Sequence, residues 1–276
     1  MKKTIITITS IVACAFASFA ADAACTNNCC AATPAKQINT LADEEVCANI
    51  LERFSASVTV GYESEYVFRG LKYAGASVNP EVDAAYDLGS GFAVYAGFWG
   101  NMPVKSGSEN EMDLYTGITY DYQNFTFDLG YLAYLYSGDY AENSHEIKFA
   151  VSYDTVDLLG EFNVSPTIAF FHDFSLDSYT LETGLTYSAP VTKWIANRNW
   201  GTIDLAAVYG WNSVKSTSAG RDGYTYIALS ADAVVALNDY CKFSVGIRYA
   251  YAHNRPAWYR NCDESVWFGT SMTVGF

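Results

Sequence analysis

The feature of this sequence that most restricts its fold is an alternation of apolar and polar residues with a period of two. The alternation is clearest in the last segment, from Ser265 to Phe276, and similar alternation runs back to Ser55 with few interruptions. Successive side chains of a β-strand point to opposite faces, so each such segment predicts a strand with one mostly apolar face. The sequence therefore predicts an all-β fold for residues 55–276, either a membrane barrel or a soluble sandwich.

The last predicted strand favours the membrane barrel. Phe276 is preceded by apolar residues two, four and eight positions earlier, namely Val274, Met272 and Phe268. This pattern resembles the C-terminal signature of bacterial outer-membrane β-barrels. The resemblance implies that Phe268, Met272, Val274 and Phe276 form an assembly signal, and that the barrel assembly machinery is a partner.

The first residues have the pattern of an export signal. Lys2 and Lys3 precede an apolar run that extends to Ala20, and Ala21-Asp22-Ala23 has the small-x-small pattern of a signal-peptidase site. We therefore predict a signal peptide over residues 1–23. No later segment has about 18 uninterrupted apolar residues, so a membrane location would require a barrel rather than helices.

The composition agrees with a transmembrane barrel of a Gram-negative bacterium. The chain has 22 Tyr, 16 Phe and 6 Trp in 276 residues, as expected when strands face lipid and aromatic residues lie at both interfaces. Its formal charge of −14 argues against nucleic-acid partners and favours cations as guests of the interior. We expect the bacterial outer membrane as location, with lipid and lipopolysaccharide outside the barrel and small hydrophilic solutes or cations inside.

Residues 24–54 lack strand alternation and contain four of the cysteines. We interpret them as an N-terminal periplasmic extension with a short helix after Thr40. It could be a plug or anchor at the barrel mouth, or a tether held by a disulfide. An exported location favours disulfides over metal ligation. On the predicted topology Cys241 and Cys262 lie at opposite membrane faces and cannot pair, whereas Cys241 could pair on its own side with one of Cys25, Cys29, Cys30 and Cys47.

Residue parity predicts about twelve strands. The first strand is interpreted as continuing beyond Glu63, so that Tyr66 and Phe68 extend its lipid face and Arg69 lies at the outer rim. An even number of strands returns both ends of the barrel to the periplasm. Strands two and three are placed at residues 78–88 and 92–102, and strand four follows around residues 111–119.

The segment from Val156 to Phe174 keeps one parity and is interpreted as a single strand. Pro166 would then lie at a bulge or in an unpaired extension, because proline cannot donate to the ladder. The connection at residues 190–201 should be periplasmic. The strands after the fourth are placed at residues 125–136, 144–153, 156–174, 178–190, 202–213, 223–237, 240–252 and 265–276.

A succession of short motifs resembles a known family over residues 55–155. The sequence is similar there to the TorF-type family, whose members are labelled as porins by inference. The resemblance implies an outer-membrane barrel and says less about the solute. The motifs are Tyr66-Val67-Phe68-Arg69-Gly70, Asn79-Pro80, Tyr86-Asp87-Leu88, Tyr95-Ala96-Gly97-Phe98-Trp99 and Glu111-Met112-Asp113-Leu114-Tyr115-Thr116-Gly117.

The three histidines do not indicate catalysis. His172 precedes Asp173, but neighbours on a strand point to opposite faces and cannot pair simply by being adjacent. His145 and His253 are interpreted as residues near the rim, and the Gly-His-x-Ser stretch of outer-membrane phospholipases is missing from the sequence. We predict no enzyme activity, no metal site and no cofactor.

The inward parity positions carry the functional signal. They hold many more acids than bases, which predicts a narrow porin that passes small hydrophilic solutes by diffusion and prefers cations. Arg69 is expected to pair with a neighbouring acid. A polar network that plugs the barrel, or a non-conducting structural or adhesive surface protein, is the alternative. The predicted pore-lining residues are Glu63, Glu65, Arg69, Glu81, Asp83, Asp87, Glu111, Asp113, Asp128, Glu146, Lys148, Glu182, Asp204, Asp232, Lys242 and Arg248, and the same parity adds Asp157 and Glu161.

Overall fold

The computed structural model describes residues 52–105, 110–138, 141–159, 164–191, 201–213, 223–254, 256 and 264–276. Within these ranges the chain forms fourteen strands and one short helix. The strands are β1 (Phe54–Glu63), β2 (Tyr66–Phe68), β3 (Leu71–Ala74), β4 (Ser77–Gly89), β5 (Phe92–Pro103), β6 (Glu111–Tyr122), β7 (Phe125–Tyr136), β8 (Ser144–Tyr153), β9 (Val164–Asp173), β10 (Ser178–Pro190), β11 (Gly201–Ser213), β12 (Tyr224–Ala236), β13 (Cys241–His253) and β14 (Glu264–Gly275). The helix is α1 (Val156–Leu159).

Strands β1 and β4–β14 form a closed antiparallel barrel of twelve strands. The barrel closes where β1 pairs with β14, and the backbone groups of Ala56 and Phe276 exchange two hydrogen bonds of 3.0 Å there. Closure leaves no unpaired sheet edge. The predicted all-β barrel of twelve strands is therefore confirmed.

The two faces of the wall have opposite chemistry. Side chains on the outer face are large, apolar and exposed, as Val60, Leu129 and Ile247 show. Those on the inner face are small, polar or aromatic. A wall that exposes this much apolar surface suits a lipid environment, because soluble proteins rarely expose large contiguous apolar patches. We call the end where β1 begins and β14 ends the base, and the opposite end the mouth.

Strands β2 and β3 form a separate two-stranded hairpin between β1 and β4. Arg69 and Gly70 form its two-residue turn, and both have positive φ, 48° and 78°, as a tight type I′ turn requires. The prediction that Tyr66 and Phe68 extend the lipid face of the first strand is wrong. The chain leaves the wall after Glu63 and turns inward, so Tyr66 is only 4% exposed.

The prediction of one strand from Val156 to Phe174 is also wrong. Helix α1 occupies the first part of this segment, and β9 begins only at Val164. Thr155 explains the change, because its Oγ1 donates to the carbonyl of Val164 at 2.7 Å and accepts from its amide at 3.0 Å. Pro166 lies one residue beyond the last β8–β9 pair, Ser152 with Thr167, but it pairs with Leu185 of β10, so it is unpaired only on its β8 side.

Several predictions concern residues outside the described ranges. These include the signal peptide, the cysteines at positions 25, 29, 30 and 47, Cys262, and most of the connection at residues 190–201. Cys241 begins β13 at the base and is buried. Within the described residues, no helix is long and apolar enough to cross a membrane.

Candidate functional site: the lumen and its hairpin

The β2–β3 hairpin packs against one side of the lumen through its first strand. Tyr66 contacts a cluster of inward aromatic residues on β5, β6 and β7, and its ring lies 5.7 Å from that of Trp99. Phe68 lies 6.0 Å from Tyr134 on β7 in the same cluster. The other wall residues of the cluster are Tyr95, Tyr115 and Leu132.

The hairpin also contacts the opposite side of the lumen. Leu71 is 1% exposed and packs against Tyr224 and Tyr226 of β12, while Val67 packs against Ala250 and Trp267 of β13 and β14. Strands β6 and β12 are six positions apart in the ring of twelve. The hairpin therefore extends across the lumen from wall to wall.

Arg69, at the hairpin turn, is fixed by an acid of the wall. Its Nη1 and Nη2 donate to the two carboxylate oxygens of Glu146 on β8, at 2.7 and 2.9 Å. The guanidinium also lies between the rings of Phe68 and Phe171, 4.7 and 4.9 Å from their centroids. The predicted pairing of Arg69 with an acid is confirmed. Its predicted place at the outer rim is wrong, because the turn lies inside the barrel beside this almost fully buried carboxylate.

Gly70 of the hairpin lies close against the wall. A Cβ on Gly70 would lie 2.5 Å from the Cβ of Tyr226, a distance that packed carbon atoms do not reach. Its φ of 78° is also unfavourable for any residue with a side chain. Both observations require glycine at this position.

The four predicted pore-lining bases all lie on the inner side of the barrel. Lys148 lies 2.6 Å from Asp128, and Arg248 contacts both Glu63 and Asp232, at 3.2 and 2.9 Å. Lys72 of the hairpin, which was not among the predicted lining residues, pairs with Glu65. Arg69 and Glu146 are described above, and Lys242 lies on the inner face of β13 near the base.

The inward tyrosines donate hydrogen bonds to the lumen acids. Tyr134 donates to Glu146 at 2.7 Å, Tyr136 donates to Glu111 at 3.0 Å, and Tyr226 donates to Glu182. Tyr115 likewise donates to Asp83 at 2.5 Å, and Tyr95 donates to Asp128 at 2.8 Å. Parity placed some of these tyrosines inward, but their partners lie on other strands and could not be read from spacing.

Asp113 and Asp204 are the two lumen acids of the described residues in which both carboxylate oxygens lack a hydrogen-bond partner. The side chain of Asp113 is fully buried on β6. Glu111, two residues earlier, lies on the same inward face and is 5% exposed. An unpartnered buried carboxylate is costly, because desolvation disfavours its charged form.

The remaining predicted acids lie nearer the base. Glu81 and Asp83 are on the inner face of β4, and Asp87 is exposed near the end of that strand, where it accepts from the amide of Gly89. Asp204 lies opposite Asp232 in the β11–β12 pairing. Asp157 was wrongly placed inward, since it lies exposed on α1, and Glu161 lies outside the described residues.

The inward residues differ in accessibility along the lumen. Near the mouth Ser77 and Thr180 are almost fully buried. Near the base Thr59 and Ser188 are partly exposed. The hairpin therefore occupies the mouth half of the described lumen, whereas the base half holds partly exposed residues as well as buried ones such as Thr119 and Asp204.

The histidines lie on the outer face, away from the lumen acids. His145 stacks between Tyr131 and Phe174, and its Nδ1 is 2.8 Å from the hydroxyl of Tyr131. His172 stacks on Tyr179 while the adjacent Asp173 is buried inward. Among the described residues, no group of three or more His, Cys, Asp or Glu could hold a metal ion.

A closed barrel with an apolar outer face and a polar interior has the architecture of the transmembrane β-barrels. An outer-membrane channel from Pseudomonas putida F1 has this fold, with a TM-score of 0.53 and 13% identity over 81% of this chain and 95% of that chain. LpxR from Salmonella typhimurium has a TM-score of 0.48 at 12% identity over 80% of this chain and 99% of its own. The NanC porin has a TM-score of 0.47 at 10% identity over 79% and 98%. The last two are too dissimilar to support further argument.

The chain belongs to the Gcw_chp family, described as bacterial proteins of unknown function, whose model matches residues 48–254. No curated protein matches the sequence. The resemblance to the TorF-type family stays a prediction.

Proposed function

We propose that this protein is a porin-like channel of the bacterial outer membrane that passes small hydrophilic solutes by passive diffusion and prefers cations. The observation that carries the proposal is a lumen of twelve strands whose base half is acidic and partly exposed. In this proposal the base faces the periplasm and the mouth faces the exterior, as in other bacterial barrels. The channel performs no covalent chemistry.

The size of the barrel supports a conducting path. Barrels of about eight strands have interiors that side chains can fill, and the interior widens with each added strand. In this barrel the mouth half is filled by the hairpin in addition to wall side chains, while Thr59 and Ser188 in the base half remain partly exposed. The lumen is therefore wide enough to hold more than its own wall residues.

The charge distribution supports cation preference. The base half carries Glu81, Asp83, Asp87 and Asp121 on one side of the lumen, and Lys242 on the other. Acidic residues in a narrow, low-dielectric passage concentrate cations and repel anions. Glu146, Asp128 and Asp232 contribute less, because they form ion pairs with Arg69, Lys148 and Arg248.

Reversal potentials in planar bilayers under a potassium chloride gradient test this proposal. We expect the wild type to prefer cations and the variant Glu81→Gln/Asp83→Asn/Asp87→Asn to lose most of that preference. Asp157→Asn is the matched control, because this acid is exposed on α1 outside the lumen. Anion preference of the wild type, or unchanged selectivity of the triple variant, would contradict the proposal.

A second candidate is a non-conducting structural or adhesive surface protein. The observation in its favour is that the hairpin extends across the lumen and contacts strands half a barrel apart. A hairpin that never leaves this position would obstruct the pore permanently. Absence of any conductance, in the wild type and after removal of the hairpin, would favour this candidate.

A further inference from the structure

We propose that the β2–β3 hairpin is a movable gate of this channel and that the ion pair between Arg69 and Glu146 is its latch. This inference rests on the proposed channel function, whose regulation it describes. In the structure the gate is closed.

The hairpin is built as a unit separate from the wall. Strands β2 and β3 pair with each other in their own sheet, whereas the twelve wall strands form a continuous closed ladder. Movement of the hairpin therefore leaves the hydrogen bonds of the barrel intact. The cost of movement comes from side-chain contacts, which can be exchanged for water.

The limits of the moving unit are marked by backbone hydrogen bonds at both ends. The amide of Ser64 donates to the carbonyl of Phe268 on β14 at 2.9 Å, and the amide of Val104 donates to the carbonyl of Ala76 at 2.8 Å. Between these anchors lies Gly75, around which a Cβ would meet nothing within 4 Å. Residues 65–75 therefore form the gate, with Gly75 as a position that tolerates rotation.

The latch holds the gate through a two-point contact in a buried place. Both carboxylate oxygens of Glu146 accept from Arg69, and the carboxylate also accepts from Tyr134. Glu146 is 1% exposed, so loss of Arg69 would leave its charge buried without a counter-charge. Breaking a buried pair by removing one partner is strongly unfavourable, which makes this contact a strong polar restraint on the hairpin.

Another acid in the same part of the lumen opposes closure. Asp113 is fully buried, and both its carboxylate oxygens lack a hydrogen-bond partner. It lies next to Tyr134 in the β6–β7 pairing and on the same face as Glu111. Opening the gate would admit water to this carboxylate and remove its desolvation cost. The closed state is thus favoured by the latch and by apolar packing, and disfavoured by Asp113.

Neutralising Glu146 and neutralising Asp113 should therefore change the open fraction of the channel in opposite directions. The experiment records single channels in planar bilayers for the wild type, Glu146→Gln, Arg69→Gln, the double variant and Asp113→Asn. We expect the open fraction to rise at least about tenfold in both latch variants, because each leaves an uncompensated buried partner. The double variant should be no more open than either single variant, since the two residues act as one contact. Asp113→Asn should lower the open fraction.

The control is Glu81→Gln, which neutralises a lumen acid outside the hairpin clusters and should change selectivity without changing the open fraction. A variant in which a short Gly-Ser linker replaces residues 65–75 reports the channel without its gate. The gate is refuted, and the channel stands, if the linker variant conducts but the latch variants leave the open fraction unchanged. The gate is also refuted if Glu146→Gln and Asp113→Asn shift the open fraction in the same direction. If no variant conducts, the channel itself is refuted.

A second readout detects gate movement without conductance. Val67 lies on β2 of the hairpin, packs against the wall and is 4% exposed. In a background with the native cysteines replaced by serine, Val67→Cys should react with a membrane-impermeant maleimide at least about tenfold faster when Glu146→Gln is added, because the reaction requires opening. Equal labelling rates in the two proteins would overturn the latch.

Discussion

At the scale of single residues, Gly70 determines how closely the hairpin approaches the wall. Gly70→Ala places a methyl group against Tyr226 at a φ of 78°, so we expect it to lower the free energy of unfolding by about 1–3 kcal/mol. Gly75→Ala is the matched control, because a Cβ there meets open space. Urea unfolding of the refolded protein compares the two. Equal stabilities would contradict the close approach.

Tyr134 completes the hydrogen bonding of the latch acid. Tyr134→Phe removes the hydroxyl that donates to Glu146 at 2.7 Å, and we expect a loss of stability of about 1–3 kcal/mol because a buried acceptor loses its donor. Tyr131→Phe removes a hydroxyl that contacts His145 on the outer face, and the loss should be about 0.5–1 kcal/mol. The same urea titration measures both. A larger effect at Tyr131 would refute this ranking.

The alternation in the sequence predicted which side chains point into the barrel, but it could not predict which residues they contact. It placed Glu146, Asp113 and Glu182 on the inward face, because side-chain direction in a strand depends only on position. The contact between Arg69 and Glu146 joins residues 77 positions apart, and no local pattern encodes such a pairing. The unpartnered state of Asp113 likewise depends on what the other strands place around it.

At the scale of elements, the hairpin was the main error of the sequence analysis. The alternation continues unchanged through Tyr66 and Phe68, because a strand inside the barrel and a strand in the wall have the same period. The turn at Arg69-Gly70 lacks the Asn-Gly or Asp-Gly signal that identifies most two-residue hairpins. The bulky aromatic residues that receive the hairpin lie on strands far away in the sequence, so the reversal had no local signature.

The last strand tests how the barrel closes. Deleting Phe276 removes two backbone hydrogen bonds to Ala56 and an outward aromatic residue that is 75% exposed, so we expect impaired assembly in the outer membrane. Tyr240→Ala is the control, since it removes another exposed aromatic residue at the base without affecting closure. Heat-modifiable mobility of membrane fractions measures assembly. Normal insertion of the deletion variant would contradict the predicted assembly signal.

At the scale of the whole molecule, the formal charge of −14 acts through the lumen. Acids such as Glu81 and Asp83 attract cations over a screening length of about 10 Å at 0.1 M salt and about 3 Å at 1 M. We therefore expect cation selectivity to weaken as ionic strength rises. Reversal potentials at a fixed gradient ratio and increasing mean concentration measure this. Selectivity that is independent of salt would indicate that cations are selected by direct contact with a binding site. It would argue against long-range electrostatic attraction by the lumen acids.

The central claim is that this barrel encloses a cation-preferring path obstructed by a movable hairpin. The most direct measurement compares single-channel currents of the wild type with those of the variant in which a Gly-Ser linker replaces residues 65–75. The twelve wall strands pair without the hairpin, so this variant should fold and conduct steadily with cation preference. The wild type should open only intermittently. Silence of both proteins in the bilayer, with folded barrels verified by circular dichroism, would contradict the account.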